Sequence, residues 1–533
     1  MYHFRPPLHR ARRRFIGGLG ALAAAALVAP RALSGDAPAI ITSEQTRPKI
    51  PYGVMSGDTT AGRAIVWSKT DRPARMLVEV ADNEAFNNAR RCAAVPALAA
   101  TDFTAQVEVS GLPAGEHAFY RVMFEALTDR GSRSEAVSGR LWMPPTDRRS
   151  VTFVFSGDEA GQGWGINPDF GGYRLYESMR REQPAFFIHS GDQIYADYII
   201  EAEVRTDDGR LWKNLTTPAK SKVAETLDEF RGNFAYNLLD LNKRRFAAEV
   251  PFLVQWDDHE TRNNWYPGQI HGDDRYRERD TTVLAAHGRQ AMFEYNPMRI
   301  DASDPNRIYR NFDYGESLAV FMLDQRSYRG RNSPNRQTVL DADAGFLGAT
   351  QTAWLQQQLL ASPATWKIIA SDMPVGVVVE DLNTYVPKGT FEALANGDDG
   401  PPSGRELELA ALLTFIKTHD IRNVVWVTAD VHYAAAFYYQ PERARFTDFK
   451  PFWEFIAGPI SAGTYGPNEI DLTFGPQTKF LGIPAGMKLG RSPLDGFQFY
   501  GRGKVDGATQ TLTVSLHDLD GQQLYSVTLE PEV

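Results

Sequence analysis

The amino-acid sequence predicts an α/β protein with a small β-sandwich ahead of its main domain. Two patterns carry that expectation. Short apolar or alternating runs, parted by turn residues such as Leu112-Pro113-Ala114-Gly115, fill positions 50–145, as in a sandwich of brief strands. From residue 151 onward, apolar runs alternate with longer stretches of helical period, the signature of helices layered on a sheet.

Residues 1–34 stand apart from both. They hold six arginines, no acid and an apolar run from Gly17 to Ala29, and they end in Ala32-Leu33-Ser34. A positive region, a short apolar region and a small-residue exit, in that order, make a secretory leader. The apolar run is too short to remain as a membrane span, so no transmembrane segment is expected once the leader is removed. Within it, Arg12-Arg13-Arg14-Phe15-Ile16 resembles the twin-arginine export signal, with Ala11 where Ser or Thr is more usual. The expected order is a leader (1–34), an N-terminal β domain (35–147) and a main domain (148–533). The expected route uses the twin-arginine machinery, and the destination is periplasmic or secreted.

Composition narrows the function. With 43% hydrophobic and 11% aromatic residues, the chain is neither disordered nor collagen-like. Setting the leader's arginines aside deepens the net charge from −9 to −15. That balance argues against nucleic-acid binding and suits cation coordination. Cys92 is the single cysteine, which excludes an intrachain disulfide, a CxxC redox pair and a cysteine zinc cage.

The expected elements follow in chain order. In the β domain the strand candidates include Ala64–Trp67, Met76–Val80, Ala105–Val109 and Phe119–Val122, while Gly57-Asp58 reads as a turn. Met143-Pro144-Pro145 forms a stiff exit. The main domain offers strands at 151–155, 185–188, 252–255, 318–323, 367–370, 424–427 and 453–457. Its helices are expected at 172–182, 225–241, 281–294, 350–361 and 404–418. A closing hairpin is expected at 511–516 and 523–529 around Asp520-Gly521.

The chemistry lies where these strands stop. Ser156-Gly157-Asp158, Ser190-Gly191-Asp192-Gln193-Ile194-Tyr195, Trp256-Asp257-Asp258-His259-Glu260, Ser371-Asp372-Met373-Pro374 and Thr428-Ala429-Asp430-Val431-His432 each follow a strand candidate. Sites in α/β sheets assemble outside the carboxyl ends of strands. Carboxylates gathered there repel one another unless a cation holds them ionised. Leu323–Arg329 ends another strand, and Arg326 and Arg329 there could clamp a phosphate or form a structural salt bridge. Trp164, Trp265 and Tyr266 are candidates for the pocket mouth or the core. His189 reads as a buried, satisfied histidine, and His271, His287, His419 and His517 as structural. There is no Gly-x-Ser-x-Gly elbow, His-Glu-x-x-His pair or P-loop.

Gly191–Asp197, Trp256–Glu260 with Asn263-Asn264-Trp265, and Ala429–Ala434 resemble the block motifs of PhoD-type alkaline phosphatases, within the calcineurin-like metallophosphoesterases. Tyr52–Asp58 and Leu112–Gly115 are similar to that family's fibronectin-like N-terminal domain. The resemblance implies a layered αββα sandwich with two or more metal ions, hydrolysing small phosphate monoesters through an activated hydroxide. It places Asp192 as the bridge, Tyr195 and His432 on the first metal, and Asp258 and Asp430 on the second. His259 would stand beside the substrate phosphate, and Asp257 and Glu260 would orient ligands. Where the family has a cysteine ligand this chain has Asp158, so Fe³⁺, Mn²⁺ and Zn²⁺ all remain open for the first metal. Asp258, Asp372 and Asp430 stand where Asn or His is common in the superfamily, and such oxygen ligands favour Ca²⁺. The alternatives are phosphodiesterase or phospholipase D activity at the same site, or a non-catalytic calcium-binding β-sandwich.

Overall fold

Period-two alternation along the central strands decides how the layers stack. In the computed structural model, which describes residues 46–532, Phe153, Phe155, Ile188 and Leu253 turn to one side of a nine-stranded sheet. There they join a core shared with a second, seven-stranded sheet. Val154, Phe187, Phe252 and Val254 turn the other way. They meet Tyr176, Phe230, Phe246 and Leu284 from helices Arg174–Arg181, Leu227–Asn237, Leu241–Glu249 and Thr281–Tyr295. On the seven-stranded sheet, Leu355 and Leu359 of helix Ala349–Ala361 pack into the core beside Leu409 and Leu413 of helix Glu406–Thr418. Strands apolar on both faces need cover on both, and an αββα stack supplies it.

The first sheet runs in the order Gln523–Leu529, Leu512–His517, Tyr500–Val505, Val151–Ser156, Phe186–His189, Phe252–Val254, Val54–Thr60, Arg63–Lys69, Thr104–Ser110. The second runs Arg310–Tyr314, Leu318–Met322, Trp366–Ala370, Val424–Thr428, Phe452–Ile456, Ala435–Tyr439, Pro476–Leu481. Val151–Ser156, Phe186–His189 and Phe252–Val254 are parallel, as are the four strands from Leu318–Met322 to Phe452–Ile456. Parallel neighbours deliver their carboxyl ends to one edge of a sheet.

The seven strands expected for this domain lie within one residue of the observed ones, and the closing hairpin forms. The helix expected over 225–241 stops at Asn237, and a separate helix, Leu241–Glu249, follows it. Tyr500–Val505 escaped the sequence reading because Gly501 and Gly503 look like turn residues. Neither position has room for a side chain. A Cβ would lie 1.9 Å from the Phe155 ring at Gly501 and 2.2 Å from the Phe153 ring at Gly503.

The β domain is a sandwich, but one of its two sheets is not its own. Val54, Val66, Val107 and Val109 pack against Met76, Val78, Tyr120 and Val122 of a five-stranded sheet. Their strands, Val54–Thr60, Arg63–Lys69 and Thr104–Ser110, continue the nine-stranded sheet through a parallel pairing of Gly57 with Phe252. The boundary expected at residue 147 therefore runs inside one compact unit.

Gly57-Asp58 is not the expected turn. It lies within strand Val54–Thr60, where the register shifts. A Cβ at Gly57 would meet the Phe252 carbonyl oxygen at 2.5 Å, so glycine permits the two backbones to approach. Asp58 is fully buried at φ 44°. Its carboxylate accepts from Arg310 Nε and Nη2 at 3.0 and 2.8 Å and from the Arg299 N–H at 2.7 Å. Losing one partner of a buried ion pair costs about 3–5 kcal/mol. Asp58→Ala should therefore lower unfolding stability by that order in a denaturant titration; a loss below about 1 kcal/mol would show that the pair does not join the layers.

Candidate metal centre

Sharp backbone turns bring the acids together at the strand ends. Asp158, Asp192, Asp430 and His432 have φ of 66°, 52°, 63° and 61°. Asp tolerates this left-handed region better than most residues, and such strain gathers at functional sites. One buried side chain fixes two of the loops. The Glu260 carboxylate accepts from the N–H groups of Asp192 (3.2 Å), Gln193 (2.5 Å) and Asp257 (2.8 Å).

Two donor groups result, and they share a member. Ligand atoms of Asp158, Asp192 and His432 all lie within 4.8 Å of one another, as do those of Asp192, Asp258 and His259. Tyr195 Oη donates to His432 Nε2 at 2.7 Å, and Asp158 Oδ1 is 3.5 Å from the same nitrogen. His432 Nδ1 donates to the Gly463 carbonyl at 2.5 Å, so Nε2 is left as the acceptor facing the centre. Burial holds this imidazole down to about 4, neutral as a ligand must be.

Burial, and after it repulsion from Asp257, pushes the carboxyls of Asp158, Asp192 and Asp430 well above their ordinary range. Burial raises Asp258 as well. Asp158 Oδ2 is buried without a hydrogen-bond partner. Gly458 leaves it space, since a Cβ there would stand 2.2 Å from that oxygen. Carboxylates, a phenol and a neutral imidazole at this separation fit cations that prefer oxygen and nitrogen.

His259 carries the charge that faces this cluster. Burial works against its ionisation, yet Asp197 and Asp258 push it up to about 9. Its Nδ1 lies 2.7 Å from Asp197 Oδ1, and its Nε2 lies 3.6 Å from Asp258 and 4.0 Å from Asp192. The ring stacks on Tyr195 with centroids 4.1 Å apart. Asp197 is fixed in turn by the Asn263 N–H at 2.9 Å. Nothing in the sequence around Asp197 marks its role; only the folded loop returns it to His259.

Arg326 and Arg329, expected as a phosphate clamp or a structural salt bridge, do not line the cleft. The Arg326 side chain has no exposed surface. Its Nε donates to Asp257 at 2.6 Å, Nη1 meets Glu392, and Asp372 and Asp430 lie at 3.4 and 3.8 Å. Arg329 is equally enclosed and donates to the Glu392 carbonyl. Asp372, expected on the second metal, sits against Asp257 and Arg326 and does not line the cleft. Glu392, which follows no strand, does line it.

Above the cluster is a cleft of about 530 Å³, walled by Tyr198, Asn263, Asn264, Asn383, Tyr465 and Asn468. Trp265 instead packs edge-on to Trp256 in the core, and Trp164 packs on Trp212 beside a separate hollow. Tyr266 is half-buried outside the cleft lining. His189 is fully buried 3.5 Å from Glu159. His271, His287, His419 and His517 each contact a backbone carbonyl.

An αββα sandwich with carboxylate and histidine groups at its strand ends has the makings of a metal-binding site. Residues 153–516 match the PhoD-like phosphatase family and residues 35–145 match its N-terminal domain, so the chain belongs to the PhoD-like phosphatases and is a phosphoric ester hydrolase. Alkaline phosphatase D of Bacillus subtilis (strain 168) is 27% identical over 491 residues, spanning 86% of this chain and 77% of that protein. Among solved structures, PhoD aligns with a TM-score of 0.67 at 21% identity, covering 92% of this chain and 96% of its own. Purple acid phosphatase PPD1 from yellow lupin (Lupinus luteus) seeds aligns at 0.54 and 12%, covering 91% and 74%; both share the fold. Among the described residues no helix is long and apolar enough to cross a membrane.

Proposed function

We propose that this protein is an exported, metal-dependent phosphoesterase of the alkaline phosphatase D type, acting on small phosphate esters at a two-cation centre. The observation that carries the reading is that Asp192 belongs to both donor groups. Asp158, Asp192, Tyr195 and His432 would hold the first cation. Asp192, Asp258 and Asp430 would hold the second, with Asp372 behind them. The first is Fe³⁺, Mn²⁺ or Zn²⁺, and the oxygen-rich second is Ca²⁺. Bound there, the cations neutralise phosphoryl oxygens and make a water acidic near neutrality.

The chain's own residues supply the remainder. His259 presents Nε2 to the cluster and is the group that protonates the leaving oxygen or stabilises its charge. Asp197 holds the ring by its far nitrogen, and stacked Tyr195 limits its rotation. The asparagine wall can hydrogen-bond the ester's alcohol. On this reading 35–147 would be the N-terminal β domain and 148–533 the catalytic domain, with one sheet shared between them. The leader, which lies outside the described residues, directs twin-arginine export to the periplasm or beyond.

Similarity to a protein named alkaline phosphatase D supports the monoester reading. A second reading, diester hydrolysis including a phospholipase D type, is favoured by the cleft wall. Among the described residues no Lys or Arg lines the cleft, so a monoester dianion would meet His259 as its one cationic side chain. A diester carries one charge and needs room instead.

Four outcomes are expected. Asp192→Asn should lose metal and activity together, while His259→Ala keeps metal and loses about 10²–10³-fold in kcat. Metal analysis beside kinetics checks both, and an empty centre in the histidine variant would move His259 into the ligand set. Ca²⁺ chelation should stop turnover and added Ca²⁺ restore it, whereas full activity in a calcium-free, zinc-only protein contradicts the assignment. The diester reading predicts kcat/KM for bis-p-nitrophenyl phosphate within about tenfold, or 1.4 kcal/mol, of that for p-nitrophenyl phosphate; a monoester preference above about a hundredfold removes it. With Arg12 and Arg13 replaced by Lys, precursor should accumulate in the cytoplasm, and normal export would sink the twin-arginine assignment.

A further inference from the structure

The two halves of the centre are neutralised differently. Behind the second half, the Arg326 guanidinium meets Asp257 and Glu392 directly and lies within 3.8 Å of Asp372 and of the ligand Asp430, while the ligand Asp258 is met by His259 at 3.6 Å. Glu392 is pinned through its main chain as well, because Arg329 and Arg405 both donate to its carbonyl. Around the first half nothing equivalent is present among the described residues. Among the described residues, the basic side chains within ion-pair reach of Asp158 and Asp192 are His432 and His259, at 3.5 and 4.0 Å.

Four carboxylates, three of them buried and Asp430 12% exposed, cannot fold into contact as bare anions, because desolvation and mutual repulsion both oppose it. A guanidinium answers this well. It is planar, permanently charged, weakly hydrated, and offers five donors in a fixed fork. Arg326 comes from the loop after Leu318–Met322, next to the strand whose end carries Asp372, so parallel pairing of the two strands places it beneath the carboxylates.

Resting on the two-cation reading above, we infer that Arg326 is a positioning residue that acts as a built-in counter-cation for the second half of the centre. It replaces part of the positive charge that Asp257, Asp372, Asp430 and Glu392 require, so this half takes shape before its divalent cation arrives and exchanges it without unfolding. The first half has no such substitute, and its geometry depends on the bound cation.

Removing the internal charge should make the fold borrow it from solution. The test compares thermal unfolding of chelator-treated protein as Ca²⁺ is added back, for the unsubstituted chain, Arg326→Met and the double variant Arg326→Met/Glu392→Gln. The cation-dependent rise in Tm should be at least about twofold larger in Arg326→Met, since a ligand that binds only the folded state stabilises it by mass action. The double variant, which removes one negative charge along with the positive one, should return toward the original rise. A packing role alone would not be repaired by Glu392→Gln. If Arg326→Met folds only with Ca²⁺ present, the slope of Tm against calcium concentration gives the same comparison. Equal slopes in Arg326→Met and the unsubstituted chain, or no recovery in the double variant, would overturn the inference. Failure of the unsubstituted chain to bind any divalent cation would instead overturn the two-cation reading beneath it.

Discussion

Like charge held in a dry place is the constraint on which this molecule depends. Asp158, Asp192, Asp257, Asp258, Asp372 and Asp430 are all buried or nearly so, and each would rather be apart and in water. The fold forces them together because parallel strands of two facing sheets end at shared edges. Three kinds of positive partner then divide the burden. Arg326 takes the acids at the rear, His259 stands over the front, and Asp158, Asp192 and Asp258 are left for cations. Each partner is defined by what the others leave unneutralised.

Rigidity follows from the same demand. A centre built from repelling groups holds its shape only when their backbones cannot drift. Glu260 clamps two loops through three N–H groups, the Gly463 carbonyl fixes the tautomer of His432, and Asp197 fixes the ring of His259. Apart from the local Asp257–Glu260 bond, these contacts join residues 31 to 68 apart in sequence, and none supplies a ligand to the proposed cations. They decide where the ligands point, which separates a reactive cluster from a merely acidic one.

Much of the fold was legible because it is written in local periodicity. The parallel strands are apolar on both faces, and those ending at Ser156, His189, Val254 and Thr428 run on to a Gly-Asp or Asp-x-His step that stands out from such a run. What stayed hidden depends on partners distant in sequence. Gly501 and Gly503 look like loop residues until the Phe155 and Phe153 rings are seen lying over them. Arg326 looks like a phosphate ligand until four carboxylates close around it. Glu392 follows no strand and carries no motif, so nothing in its neighbourhood marks it. Gly57-Asp58 reads as a turn because the ion pair that holds it in a strand joins residues 58 and 310.

The parallel junction between Val54–Thr60 and Phe252–Val254 has a consequence for how the chain can be divided. Phe252–Val254 leads directly into Asp257, Asp258 and His259, and its far side is covered by a strand from the β domain. A chain starting after residue 147 would leave that side as an open edge of unpaired N–H and C=O groups beside apolar residues, a template for association with other chains. The β domain is therefore the edge protection of the catalytic sheet. Any exchange of N-terminal domains among relatives has to preserve a strand that closes that edge, with a residue as small as Gly57 where it passes the Phe252 carbonyl.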